Sequence, residues 1–408
     1  MSLSTPSLRV LLLTETYAPE IGGGERQAHL LARALVRRGH AVTLVTRRSR
    51  AGLPWSEITD QIRVLRLPPT GPGRWRKWAL ALPALNALLW RRYDLVLVSG
   101  FRLLGIPALL ARLVTRKPTV LKADSSGELS GEYFRAGLAR SGLALDSWPA
   151  RQFVRLRNAL LRRANAFVAL SEEMAQELIE HGVPVARVYR IANGVDTELF
   201  QPATDSERTA LRQRLGQPMG PVVIYTGRLV SYKGIVGLVR AWRNVRRLVP
   251  AATLVLAGEG GNDIHACEQE LRDLVDTDRD LSASVRFTGA VNNVHDWLRA
   301  ADLFVFPTEN EAFGLSLVEA MACGLPAVTT WVGGLRDFVV PNVNALVVPC
   351  RDESALGEAL QTLLNNSERA HELGRAARQT VLNRFSADVV ADAYVAMFRR
   401  VLSATAAS

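Results

Sequence analysis

Apolar positions along this chain come in short, nearly unbroken runs, and the runs alternate with segments of helical spacing. LRVLLLTE (8–15) is the first, the pattern of a strand buried on both faces of a parallel sheet. A glycine loop follows it, then ERQAHLLARALVRRGH, whose apolar residues recur at helical spacing and which ends at Gly39, then AVTLVTR, so the opening predicts a βαβ unit. DLVLVSG (94–100), PTVLKA (118–123) and NAFVALS (165–171) extend the series into one doubly wound domain. PVVIYTGR (221–228) restarts it, followed by ATLVLAGEG (252–260), SVRFTG (284–289), DLFVFPT (302–308) and LPAVTT (325–330), which predicts a second α/β domain. The stretch from Arg190 to Pro221 reads as polar and loop-like, and Asn193, Gly194 and Pro202 supply turn residues, so a hinge is expected near 195–220. In FSADVVADAYVAMFRRVLSA, Ser386 is placed to cap a last helix with an apolar stripe of Val390, Tyr394 and Met397. Two similar domains joined by a hinge imply a ligand held in the cleft between them.

Length agrees with that division, because 408 residues exceed one ordinary core. Cys267, Cys323 and Cys350 are scattered, with neither zinc spacing nor an even count for a disulfide framework, and a reducing cytoplasm fits them. The six histidines show no metal-ligand spacing either. The apolar core near the start is too short for a signal peptide, so no export is expected. WALALPALNALLW (78–90) contains Pro83 and Asn86 and falls well short of about 20 clean residues, so it predicts no transmembrane helix.

Charge is uneven. Residues 1–200 hold 29 Lys/Arg against 16 Asp/Glu, a net +13, and the remaining 21 against 23 give −2. Arginines lie beside tryptophan and leucine in 73–94 and again in 134–167, a composition that suits an interface with anionic lipid. The plainer reading is the solvated outer face of Rossmann-type helices. Nucleic acid would also attract this charge, but no nucleic-acid motif accompanies it.

Four stretches carry candidate chemistry. YTGRLVSYKG places Arg228 and Lys233 just beyond the C-terminal end of a predicted buried strand, where open α/β sheets bind ligands. A guanidinium that can fork two oxygens and a point-charge ammonium suit a diphosphate, although alone they would pass as surface charge. EIGGGERQ (20–27) puts Gly22, Gly23 and Gly24 between a strand and a helix, where backbone amides can approach a phosphate; a structural turn is the alternative. It is not a dinucleotide fingerprint, since that spacing requires glycine at Gln27, and a dehydrogenase is disfavoured accordingly. PTENEAFGLSLVEAMACGLPAV (307–328) sets Glu311 and Glu319 eight positions apart, about 12 Å of rise and about 80° of rotation in a continuous helix. That is too far to share a proton. The pair would grip separate parts of one long ligand unless Gly314 takes Glu311 off the helix; Ser316 with Glu319 also reads as a capping box starting a helix near Ser316. DTDRD (276–280) contains two D-x-D triplets of the kind that hold a divalent ion, but it sits in what reads as a solvated connector.

Arg228, Lys233, Glu311 and Glu319 in one half and a glycine loop in the other give a constellation that resembles the retaining nucleotide-sugar glycosyltransferases of family 4. The matching pieces run in order through nearly the whole chain: GGGE, GVPVARVYRIANGVDTELF, GRLVSYKG, VRFTG, ENEAFGLSLVEAMACGLP and VGGLRDFV. The resemblance implies a GT-B fold, α/β with two Rossmann-like domains facing across a cleft. Residues 1–200 would bind the acceptor, 201–385 the nucleotide sugar, and 386–408 would form a helix packing back toward the first domain. Glu319 would accept hydrogen bonds from the ribose hydroxyls and Glu311 would lie against the donor sugar. Backbone amides of Gly314 and Leu315 would meet the phosphates, with Gly23 and Gly24 contributing from the first domain. Arg228 and Lys233 would neutralise the leaving diphosphate in place of a metal, so no cofactor is expected.

The chain departs from the family at one point. Many relatives carry a His-Asp pair after the fourth or fifth strand of the first domain, whereas VLKADSSGELSGEYF has no histidine. Asp124 is the candidate to orient the acceptor or take its proton, with Glu128 second and Lys122 as a phosphate contact; a simple turn at Asp124 and Ser125 is the alternative. The expectation is a cytoplasmic hexosyl- or related transferase of polysaccharide or glycolipid synthesis, peripheral on the inner face of the membrane through its basic first domain. Its acceptor would be a glycan or lipid-linked glycan. Two rivals share the fold: a sugar-nucleotide-binding protein without turnover, and a glycan phosphorylase-like enzyme.

Overall fold

The structure is a computed structural model and describes residues 6–20, 22–71, 79–131, 147–261 and 263–407. Much of the two Arg/Trp-rich stretches, at 73–78 and 134–146, lies outside the described residues. The chain divides into two compact units, Met1–Gly194 with Ala387–Ser408, and Val195–Ser386. The division at 194/195 precedes the expected domain end at residue 200. From Val195 on, the stretch read as a polar linker belongs to the second unit and carries a helix, Asp205–Arg214, opened by a reciprocal Thr204/Glu207 capping box.

In the first unit the strands are β1 (Arg9–Thr14), β2 (Ala41–Arg47), β3 (Ser56–Thr59), β4 (Ile62–Leu67), β5 (Leu95–Ser99), β6 (Thr119–Lys122), β7 (Ala166–Ala169) and β8 (Val188–Arg190). They form one sheet in the order β3-β4-β2-β1-β5-β6-β7-β8, parallel throughout except for the β3–β4 hairpin. Sequence pattern misses that hairpin because Arg63 and Arg66 interrupt the apolar run. The Arg66 guanidinium is nevertheless buried, donating to Glu57 at 2.6 Å and to the Ala18 carbonyl at 3.1 Å.

One face of the sheet is covered by the first helix, Gly23–Arg37, and by the C-terminal helix, Ala387–Ala406. Ala28, Leu31 and Leu35 of the former meet Val390, Tyr394, Met397 and Phe398 of the latter in one buried cluster. At the edge of that contact Arg38 donates to Asp388 at 2.9 Å and to Asp392 at 2.6 Å. The opposite face carries the helices Ala81–Trp90, Phe101–Thr115 and Trp148–Leu161. Among the described residues no helix is long and apolar enough to cross a membrane.

The second unit repeats the scheme with β9 (Val222–Thr226), β10 (Thr253–Ala257), β11 (Val285–Gly289), β12 (Leu303–Phe306), β13 (Ala327–Thr330) and β14 (Leu346–Val348). Their order is β11-β10-β9-β12-β13-β14, and all are parallel. β9, β10, β12 and β13 are buried along their whole length, as expected of strands covered on both faces. Trp242, fully buried, donates its indole N–H to Ser284 at 3.2 Å.

Phe398 is fully buried in the C-terminal helix, so Phe398→Ala should lower the stability of the first unit by about 3–5 kcal/mol, read from urea unfolding followed by circular dichroism. Leu82→Ala, at a side chain 76% exposed, should stay within about 0.5 kcal/mol in the same assay.

Candidate active site

The order of the second sheet reverses between β9 and β12, and the crevice outside the C-terminal ends of those strands is the site such a topology provides. The segment after β9 and the segment after β12 meet there. Gly234, at φ 70°, lies so close to Pro307 that a Cβ would come within 2.1 Å of the Pro307 carbonyl oxygen, and the Glu309 N–H donates to the Tyr232 carbonyl at 2.9 Å. This contact brings Lys233 to Glu311: ammonium and carboxylate are 2.5 Å apart, with side chains only 11% and 16% exposed. Lys233 also lies 5.4 Å from the ring centroids of both Tyr232 and Phe306.

Arg228 is more open, 59% exposed, and donates to Asp263 and to the Tyr232 hydroxyl, each at 2.6 Å. Tyr225, buried beneath, donates to the Arg228 carbonyl at 2.9 Å. Burial first, then the charge of Glu311, raises the Tyr225 phenol well above its ordinary value and keeps it a donor.

Glu311 lies in the loop, not the helix. The helix runs Leu315–Ala322 behind Gly314, which caps it at φ 93°. This corrects the capping-box reading, since Ser316 is inside the first turn and no side chain caps the helix. The amides of Leu315, Ser316 and Leu317 precede the first helical hydrogen bond, from the Val318 N–H to the Gly314 carbonyl, and form its electropositive end. Glu319, half-buried, stands four residues into the helix, about 6 Å along its axis from Leu315. Arg228, Lys233, Glu311, Gly314 and Leu315 therefore share one edge of the second sheet, and Glu319 lies about one helical turn beyond.

Asp278, in the D-x-D stretch, is a helix cap. It accepts the Asp280 and Leu281 amides at 2.9 and 3.2 Å and pairs with Arg243 at 2.8 Å. A cavity of about 1170 Å³ opens at the N-terminal edge of the sheet and is lined by none of the expected site residues. Its arginines serve the fold: Arg212 binds Asp302 at 2.6 Å, and Arg378 donates to the carbonyls of Thr197, Phe200 and Ala322.

In the first unit the sheet order reverses between β1 and β5, and a second charged group collects at that point. Asp124 accepts from the Ser99 hydroxyl at 3.0 Å on both oxygens and pairs with the Lys122 ammonium. Gly23 and Gly24 open the first helix behind Gly22. Asp124 lies 3.8 Å from where a Cβ on Gly24 would stand and 3.0 Å from that of Gly100, which caps the helix Phe101–Thr115. Its carboxylate thus sits beside two helix N-termini, which favour negative charge.

Lys122 and Glu128, expected as acceptor contacts, are both buried. Lys122 is committed to Asp124. Glu128 accepts the Asp124 N–H at 3.0 Å, and Arg102 approaches it at 3.8 Å. Burial, and next the charge of Asp124, push the Glu128 carboxyl up to about 7 against the pull of Arg102. Both residues therefore support Asp124 from below. Sequence reasoning missed Arg102, Tyr232 and Asp263. Only Tyr232 had a visible signal, its place inside SYKG.

Known proteins resemble the chain along its full length. A family described as Glycosyltransferase Family 4 matches residues 21–199, and one described as Glycosyl transferases group 1 matches 207–380. D-inositol 3-phosphate glycosyltransferase of Xylanimonas cellulosilytica is 32% identical over 90% of this chain and 89% of its own. The chain is a family 4 glycosyltransferase. Glycogen synthase of Mycobacterium tuberculosis is 29% identical over 95% of this chain and 93% of its own. Sucrose-phosphate synthase of Thermosynechococcus elongatus has the same GT-B fold, with TM-score 0.77 at 24% identity over 97% of this chain and all of that one. HepE of Anabaena, solved with UDP and glucose, gives TM-score 0.74 at 20% identity over 96% and 99%. The protein is accordingly an enzyme that uses a nucleotide-sugar donor.

Two outcomes follow for this glycosyltransferase. Asp263→Asn releases Arg228 from a solvent-screened pair, so nucleoside diphosphate binding should tighten by roughly two- to fivefold in calorimetry. Glu128 carries a raised pKa in the folded protein, so its contribution to stability is complete below about 4.5 and is lost as pH rises through about 7. Urea midpoints between pH 5 and 8 should therefore fall more steeply for the wild type than for Glu128→Gln.

Proposed function

We propose that the enzyme transfers a sugar from a nucleoside-diphosphate sugar, with retention at the anomeric carbon and without a metal, to a glycan or lipid-linked glycan at an anionic membrane surface. The observation that carries this reading is the Lys233–Glu311 pair, 2.5 Å apart and largely buried beside the amino end of the helix Leu315–Ala322. A diphosphate placed there would meet Lys233, Arg228 and the amides of Gly314 and Leu315, all fixed before it arrives. Charge that builds on the departing phosphate as the bond to the anomeric carbon breaks is stabilised by those groups, the role a metal plays elsewhere. Glu311 then contacts the donor sugar, and Glu319 accepts from the ribose hydroxyls. Retention follows from same-face attack, in which the acceptor oxygen bonds the anomeric carbon and its proton passes to the departing phosphate oxygen. Asp124 orients that hydroxyl, and Lys122 and Glu128 hold Asp124.

The acceptor class is supported by the outer face of the first unit. The helices Ala81–Trp90, Phe101–Thr115 and Trp148–Leu161 expose Leu82, Trp90, Val114, Trp148 and Leu156, each at 70% or more, beside the exposed arginines Arg91, Arg92, Arg151 and Arg155. Apolar tips among cations suit the boundary of an anionic bilayer.

The central test is calorimetry with UDP, GDP, ADP and dTDP in EDTA. One nucleotide should bind without metal, and Glu319→Ala should weaken it about tenfold, about 1.4 kcal/mol. A requirement for a divalent ion would overturn the metal-free reading. Anionic liposomes should retain the protein at low salt and release it as salt rises; no retention removes the membrane acceptor. Donor binding with neither transfer nor slow donor hydrolysis, and indifference to Asp124→Ala, would favour a binding protein without turnover.

A further inference from the structure

We propose that Trp331 forms the floor of a carbohydrate subsite, stacking its indole against the pyranose ring of the donor sugar. The inference rests on the reading of the second unit as the nucleotide-sugar site and adds a residue to it. Trp331 follows β13 directly, at the C-terminal edge of the sheet where Arg228, Lys233 and Glu311 lie. It is 48% exposed although it is the bulkiest kind of apolar side chain.

A single exposed apolar residue needs no explanation by itself. This one differs because both of its flanks are fixed to the site. Before it, the Thr330 hydroxyl donates to the Thr308 carbonyl, and the Thr329 hydroxyl donates to that of Phe306 at 2.9 Å. After it, Gly333 packs on the Glu311 carbonyl so tightly that a Cβ would come within 2.1 Å of the oxygen. The Gly334 N–H donates to that same oxygen at 2.9 Å. Two residues of chain span at most about 7 Å, so the Trp331 backbone is held near Glu311.

The ring is also braced. Arg336 donates through Nε to the Trp331 carbonyl at 3.1 Å, and its guanidinium carbon lies 5.7 Å from the indole centroid. The indole thus has a guanidinium contact in the free protein while the residue stays 48% exposed, so part of the cost of ordering it is already met. A pyranose ring has the matching shape: its axial C–H groups make an apolar face whose slight positive charge suits the negative π face, while its hydroxyls stay at the rim. Nucleobases also stack on indole. They are disfavoured here because Trp331 adjoins Glu311, at the sugar end of the donor, while Glu319 reaches the ribose.

The experiment is calorimetric titration of UDP, GDP, ADP and dTDP, each alone and as its glucose or mannose conjugate, into wild type, Trp331→Ala and Trp331→Phe, with thermal melts to verify folding. Trp331→Ala should weaken the bound nucleotide sugar about tenfold, leave its nucleoside diphosphate within twofold, and be largely rescued by Trp331→Phe. Equal affinity of wild type and Trp331→Ala for the nucleotide sugar overturns the subsite and leaves the donor site standing. Equal losses for sugar conjugate and bare diphosphate overturn it too, because the indole would then serve the nucleotide. If no wild-type titration shows binding, the donor reading fails and the subsite falls with it.

Discussion

The chemistry of the second unit depends on backbones that approach closer than any side chain allows. At Gly234 the loop after β9 touches the carbonyl of Pro307, and at Gly333 the loop after β13 touches that of Glu311. A methyl group at either place would collide with backbone, and backbone has nowhere to go. These contacts layer three loops from three strands over one crevice. They bring an ammonium, a carboxylate and a helix amino end together.

Charge in the two units is balanced differently. In the second, Lys233 and Arg228 each face a carboxylate, Glu311 and Asp263, so the cations that would meet a diphosphate are held by acids in the free protein. The two pairs differ in environment. Lys233 and Glu311 are largely shielded and interact strongly, while Arg228 is mostly in water and its pair is correspondingly weak. In the first unit one exposed-edge carboxylate, Asp124, is supported by groups that solvent barely reaches. Lys122 compensates its charge, and Glu128 takes its amide. Asp124 is the most open member of the trio, its side chain 23% exposed.

The stretch VLKADSSGELSGEYF contains no histidine, and the charged group around it is built on carboxylates instead. An imidazole titrates near neutrality by its own nature. Here the group whose titration is brought near neutrality is a glutamate, and burial rather than intrinsic acidity brings it there. Glu128 is buried and meets Asp124 by accepting its backbone N–H at 3.0 Å.

The sequence by itself determined the two doubly wound units, since short apolar runs such as LRVLLLTE and PVVIYTGR, alternating with segments of helical spacing, are the pattern of parallel strands covered on both sides. It also determined the order of the chemistry along the chain, because Arg228, Lys233, Glu311 and Glu319 follow strand ends, and strand ends are where such sheets bind. Local pattern failed where arginine broke a buried strand at Arg66, and where a Ser-x-x-Glu spacing imitated a cap that Gly314 provides with its backbone. Only the tertiary structure decided that Asp263 holds Arg228, that Lys122 and Glu128 contact Asp124, and that the loop carrying Trp331 packs on the Glu311 carbonyl through Gly333 and Gly334. Each of these is a contact between residues far apart in the chain, or a degree of burial. Both are set by how loops from different strands pack, which no local spacing encodes.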